Sequence, residues 1–257
     1  MDVLPQFRLD GRTALVTGAG RGIGRAIAIT FASAGANVAL VSRTRADLDV
    51  VAAEISGLGR KTLALPFDLA NTAQLPELIE TTVSTFGGLD VLVNNAGGAG
   101  PNDPTRTTPE QFMKALEWNV LPAFALTRLA VPHLRRSNSA SVINITSAAA
   151  RYAQRSFSNY GTAKAALTQL TRLLAQDFAP LVRVNGIAPG PVVTDALAQF
   201  LTDEVRSAME RRTPLARLGT VEDIAAAALY LGSSASAWMT GKILELDGGA
   251  ESTVWPL

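Results

Sequence analysis

The chain has 257 residues, 47% hydrophobic and 18% charged, with acids and bases interspersed to a net charge of +1. That length allows one large or two small domains with a sizeable core, and the balance excludes a disordered chain and the basic stripe that nucleic acid requires. There is no cysteine, which removes disulfides, thiolate metal sites and cysteine nucleophiles and fits a reducing cytoplasm. The opening MDVLPQFRLDGR carries an acid at Asp2 and no sustained apolar run, unlike a secretory signal. No apolar run reaches bilayer-spanning length, so a soluble cytoplasmic protein is expected.

In chain order, RTALVT (Arg12–Thr17) reads as a buried strand, followed by a glycine-rich turn and the helix IGRAIAITFASAG. NVALVS, a helix around Arg45–Ser56 and KTLALPF come next, then a helix around Ala73–Phe86 and DVLVNNAG. A long helix runs from Pro109 to about Leu134, before SASVINIT, a helix bearing Tyr160 and Lys164, and VRVNGIAPG. A helix near Glu222–Leu231 and the strand KILEL close the series. The strands are continuous apolar runs without alternation, the pattern of a sheet covered on both faces. Strands alternating with helices imply right-handed βαβ units. The expected fold is therefore α/β, a doubly wound parallel sheet of about seven strands with helices on both faces. No linker divides residues 1–257, and functional loops are expected at the carboxyl ends of the strands.

The turn TGAGRGIG (Thr17–Gly24) has the spacing G-x-x-x-G-x-G. Gly18 suits an unusual backbone angle, Gly22 leaves room for a pyrophosphate and Gly24 permits close helix–strand contact. The same residues would also serve a plain tight turn. An NAD-binding acid is expected about 20 residues further on, at the end of the second strand, but Ser42 and Arg43 stand there in VSRTR. A hydroxyl and a guanidinium suit a 2′-phosphate that a carboxylate would repel. Arg21 supplies a second cation, and the combination favours NADP(H); the alternative is that Arg43 and Arg45 are simply solvated.

Tyr160 and Lys164 share one helical face at i,i+4. A neutral phenol and an ammonium are poor reagents at pH 7, with reference pKa values near about 10, but a nearby cation favours the phenolate. His133, the single histidine, ends the long helix in a position suited to capping. With one histidine and no cysteine, a catalytic zinc site or a Ser-His-Asp triad is disfavoured and no metal is expected. Trp238 and Trp255 read as packing or interface residues.

Taken in order, TGAGRGIG, NNAG (Asn94–Gly97), Asn119, Ser147, YGTAK (Tyr160–Lys164), PGPVVT (Pro189–Thr194) and TGKILELDGG resemble the short-chain dehydrogenase/reductase family in its compact form. The resemblance implies a single Rossmann-type domain and a catalytic set of Asn119, Ser147, Tyr160 and Lys164. It gives Tyr160 the role of general acid/base, with its pKa lowered by Lys164, which also holds the nicotinamide ribose. Ser147 would donate to the reacting oxygen, and Asn119 would hold a water that relays protons from Lys164. It implies cofactor contacts from Gly18, Arg21, Gly22, Ile23, Gly24, Ser42, Arg43, Asp68, Leu69, Asn95, Ala96, Gly97, Pro189, Gly190, Val192 and Thr194. Asn94 would brace neighbouring strands.

Family precedent also makes the segment near 194–214 a substrate lid, with Ala196, Leu197, Phe200, Leu201, Val205 and Met209 available as an apolar wall. The expected activity is NADP(H)-dependent hydride transfer to or from a moderately hydrophobic ketone or secondary alcohol. Within the family, NNAGGAGP, VNGIAPGPVVTDAL and TPLARLG look most like bacterial 7α-hydroxysteroid dehydrogenases. The 3-oxoacyl-carrier-protein reductases and sugar or polyol dehydrogenases are the alternatives. A regulator that senses NADPH without turnover is a rival from another class, and an epimerase or dehydratase is a third. Apolar helices at Pro109–Leu134 and Phe157–Phe178 suggest the homotetramer or homodimer common in the family.

Overall fold

In the computed structural model, residues 3–199 and 201–256 are described. Seven parallel strands, β1 (Thr13–Thr17), β2 (Asn37–Ser42), β3 (Thr62–Pro66), β4 (Val91–Asn94), β5 (Ala140–Ile145), β6 (Val182–Pro189) and β7 (Ile243–Leu246), form one sheet in the order β3-β2-β1-β4-β5-β6-β7. The order reverses between β1 and β4, which opens a crevice at their carboxyl ends.

Successive residues of each central strand enter opposite hydrophobic cores, so the runs are apolar without alternation. Ala14 and Val16 of β1 join Val38 and Leu40 of β2 on one face, under α1 (Gly22–Ser33), α2 (Arg45–Gly57) and α8 (Val221–Gly232). Leu15, Ala39 and Val41 face the other way, under α3 (Leu75–Phe86), α4 (Pro109–Leu134) and α5 (Ser158–Phe178). Phe31, Leu92 and Leu126 are among the fully buried side chains. Each such side chain contributes about 1.5–3 kcal/mol relative to exposure.

Local chemistry sets the helix ends. Thr108 and Gln111 form a reciprocal capping box at the start of α4, and Thr220 with Asp223 does the same for α8. The helix expected from Ala73 instead opens with a 3-10 turn, Thr72–Gln74, and becomes α-helical at Leu75, with Pro76 in its first turn. The segment near 194–214, expected as a lid, contains two helices, α6 (Asp195–Ala198) and α7 (Asp203–Arg212). Thr202 caps α7, acids occupy its first turn and Arg211 and Arg212 its last, matching the helix dipole.

His133 lies in the last turn of α4 with Nε2 3.5 Å from Glu80 Oε1 on α3, so it faces a neighbouring helix and not the crevice. Among the described residues no helix is long and apolar enough to cross a membrane.

Candidate active site

The crevice above β1, β4, β5 and β6 is a cleft of about 670 Å³. Its catalytic end is built from three elements. Ser147 follows β5 in extended conformation and caps a 3-10 turn, its Oγ accepting from the Ala149 N–H at 3.1 Å. The small residues after it let α5 approach. Tyr160, in the first turn of α5, lines the cleft with Ser147, whose hydroxyl acts on its phenol. One turn later Lys164 is buried, its Nζ donating to the Ile145 carbonyl at 2.9 Å and lying 5.8 Å from the centre of the Tyr160 ring.

Burial pushes the Tyr160 phenol above its ordinary pKa, against the lowering effect of the Ser147 hydroxyl. The expected depression by Lys164 is therefore not found. Burial also lowers Lys164 to about 8, and its ammonium is directed at the Ile145 carbonyl. The group still carries its charge at pH 7.

Asn119 is buried behind this pair, not in the cleft wall. Its Oδ1 accepts from the Gly98 N–H at 2.8 Å and its Nδ2 donates to the Ala115 carbonyl at 2.9 Å. Gly97 is squeezed between the two functional groups: a Cβ there would meet Asn119 Oδ1 at 2.8 Å and Lys164 Nζ at 3.2 Å. Asn94 braces β4 against β5 and α4, donating to Asn144 Oδ1 at 2.9 Å and Thr127 Oγ1 at 3.1 Å.

The remaining expected cofactor residues sort into lining and supporting positions. Gly18, Arg21, Gly22, Ile23, Ser42, Arg43, Leu69, Asn95, Ala96, Gly97, Pro189, Gly190, Val192 and Thr194 line the cleft. Gly24 lies beneath, where a Cβ would strike the Gly18 carbonyl oxygen at 2.2 Å, whereas the Gly22 side faces open space up to Thr194 at 3.7 Å. Asp68 is exposed outside the lining, one oxygen accepting from the Ala70 N–H at 3.1 Å in a local turn. The wall there is Leu69 with Phe67.

These observations fit a nicotinamide dinucleotide. A glycine turn with open space at Gly22 leads into a helix N-terminus, which suits a pyrophosphate. A buried ammonium with protons to spare faces the same cleft, as a ribose diol requires.

Several lining residues were not anticipated. Gly20, Thr44, Asp47 and Trp118 stand at the outer end, and Tyr152, Gln154 and Phe157 flank the catalytic end. Tyr152 is pushed up to about 12, chiefly by burial and then by the Asp247 carboxylate. Leu197 and Met209 of the lid line the cleft, while Leu201 and Val205 pack behind them with Leu218 and Val254. Phe200 and the side chain of Ala196 lie outside the described residues. Trp255, read from sequence as packing, is both packing and wall: it backs Met209 and lines the cleft with Thr253 and Val254. Arg212 Nη1 on α7 donates to the Trp255 carbonyl at 2.8 Å. Trp238 is fully exposed.

Arg151 ties the loop after Ser147 to the chain beyond β7. It pairs with Glu245 at 3.1 Å, Asp247 at 2.9 Å and Glu251 at 2.9 Å, and donates to the Ala250 carbonyl.

The family described as Enoyl-(Acyl carrier protein) reductase matches residues 18–251. The chain belongs to the short-chain dehydrogenase/reductase family and is an oxidoreductase of that fold. It is 50% identical over 249 residues to an uncharacterized oxidoreductase of Mycobacterium tuberculosis (strain CDC 1551 / Oshkosh), covering 96% of this chain and 95% of the relative. It is 43% identical over 245 residues to the 7α-hydroxysteroid dehydrogenase of Escherichia coli (strain K12), with 95% of each chain covered. A solved 7α-hydroxysteroid dehydrogenase, complexed with NADH and 7-oxo glycochenodeoxycholic acid, superposes with a TM-score of 0.94 at 41% identity, covering 97% of this chain and 98% of that one.

Proposed function

We propose that the protein is an oxidoreductase that uses NADP(H) by preference and interconverts a bulky hydrophobic ketone and its secondary alcohol, with a hydroxysteroid as the leading substrate class. The observation that carries the reading is the convergence of Ser147, Tyr160 and Lys164 on one wall of the cleft, with Arg21 and Arg43 at its other end. The catalytic side chains are intact, which argues against a regulator that binds NADPH without turnover.

When bound, the nicotinamide dinucleotide supplies or takes up the hydride. The chain's own residues do the rest. Ser147 Oγ donates to the carbonyl oxygen, where negative charge develops. Tyr160 Oη delivers the proton to that oxygen in reduction and removes it in oxidation. Burial keeps the phenol protonated at neutral pH, the form reduction needs. Lys164 would hold the ribose hydroxyls, and its ammonium would favour the phenolate when the reaction runs as oxidation. Asn119 fixes the Gly97–Gly98 backbone against Lys164.

Apolar lining supports the substrate class. Phe157, which packs edge-on against Tyr160, and Leu197, Met209 and Trp255 give the cleft apolar walls, a poor match for a sugar or polyol, which would leave hydroxyls unpaired. The relatives that act on 7α-hydroxysteroids point the same way. A 3-oxoacyl-carrier-protein reductase is the second reading, favoured by 32% identity over 244 residues to that enzyme of Thermotoga maritima. The deciding experiment is a substrate panel of 7-oxo and 7α-hydroxy steroids, 3-oxoacyl thioesters and sugars, each followed by NADPH consumption or NADP⁺ reduction. Turnover of steroids above the others is expected. Turnover of thioesters alone transfers the assignment to the second reading, and turnover of none abandons the first.

A further inference from the structure

We propose that Asp47 is a specificity-determining residue at the adenosine end of the cleft, where its carboxylate opposes a 2′-phosphate, accepts from a 2′-hydroxyl, and so lets the protein use NADH as well as NADPH. The inference rests on the reading of Arg43 and Ser42 as 2′-phosphate ligands and refines it.

Asp47 was not anticipated because it lies five residues past the end of β2, in the first turn of α2. The fold brings it back over the glycine turn. A Cβ at Gly20 would lie 2.8 Å from Asp47 Cβ, 3.7 Å from its Oδ2 and 3.2 Å from Ser42 Oγ. Hydroxyl and carboxylate therefore meet above the same point of the turn, and both line the cleft with Arg21, Arg43 and Thr44. The carboxylate is half-buried and has no hydrogen bond or ion pair among the described residues.

Neighbouring cations on the same side are engaged elsewhere. Arg45 pairs with Asp49 at 2.8 Å and Arg25 with Glu54 at 2.6 Å. The Arg43 guanidinium lies 5.8 Å from the centre of the Trp118 ring and makes no ion pair among the described residues. A ribose 2′-phosphate entering here thus meets two arginines and one uncompensated acid. Like charges repel over this range, so the acid offsets part of the arginines' attraction. A 2′-hydroxyl would instead find an acceptor. Asp47 also suits the positive end of α2, but that contribution is blind to which nucleotide is bound.

The test is equilibrium titration of the full-length protein with NADPH and with NADH, read by quenching of tryptophan fluorescence, Trp118 being part of the cleft wall. The wild type is expected to bind both, NADPH the more tightly by about tenfold or less. Asp47→Asn and Asp47→Ser should each widen the NADPH-to-NADH affinity ratio by about tenfold, whereas Asp47→Glu keeps it near the wild-type value. Thermal unfolding without nucleotide reports any loss of helix capping separately. A ratio within twofold of wild type in both Asn and Ser variants overturns the proposal while leaving the role of Arg43 intact. NADPH affinity unchanged in Arg43→Ala overturns the underlying reading, and this proposal with it.

Discussion

The two ends of the cleft are built on different physical terms. At the proposed catalytic end Lys164 and Asn119 are buried to within a few per cent and bond to the backbone of distant segments, while Ser147 accepts from the turn it caps. At the adenosine end Arg43, Thr44 and Arg45 are exposed, and the acids and bases there compete in solvent. In a low-dielectric site one misplaced dipole is costly, so few residue choices work. At an exposed site charges are screened within about 10 Å and several combinations are tolerable. On the proposed reading, chemistry is rigidly specified at one end, and cofactor choice is adjustable at the other.

The largest effect should come from Tyr160→Phe. It removes the proton that reduction needs without vacating space, so turnover should fall about 10³-fold while nucleotide titration stays close to wild type. Near-normal turnover would break the contrast between the ends, since the catalytic end would then tolerate the loss of its acid.

Lys164→Met sharpens the contrast through stability. Burial lowers Lys164 from 10.5 in the unfolded chain to about 8 in the cofactor-free fold. Between these values the unfolded chain holds more protons, so this group makes the wild type more stable as pH rises from 8 towards 10.5. Below pH 8 the whole cost of the buried charge is present, of the order of 3 kcal/mol before the lost hydrogen bond to Ile145 is subtracted. Lys164→Met should therefore be inactive yet more stable without cofactor by about 2 kcal/mol at pH 7. Urea unfolding across pH should show this gain shrinking above pH 8. A variant less stable than wild type at pH 7 contradicts the account.

The smallest effect belongs to the exposed end. Arg43→Ala should weaken NADPH by about tenfold and NADH little, and the difference should fade in 1 M salt. A salt-independent loss would mean that Arg43 acts by stacking on Trp118 and not through charge.

Much of the fold could be read beforehand. The seven strands and the helices from α1 to α5 follow from unbroken apolar runs and helical periods, and α4 begins and ends at the residues expected of it. The lid helix α7 was missed because its mean composition is polar and only Met209 is buried, though Thr202 and the following acids were a usable start signal. The tyrosine–lysine pair was legible because Tyr160 and Lys164 sit one turn apart, a local relation, while the proposed roles of Ser147 and Asn119 came from the family resemblance. Asp47, Trp118, Tyr152 and Trp255 were not, because each is brought to the cleft by packing between distant segments.

The order of residues along the chain by itself determined the alternation of strand and helix, the glycine turn and the tyrosine–lysine pair, since these depend on unbroken apolar runs, on the 3.6-residue period and on backbone freedom within a few positions. Only the tertiary structure decided which side chains face one another across the cleft. It set an acid beside the arginines and the segment after β7 against the lid, and it raised the phenol's pKa through burial that no local pattern encodes.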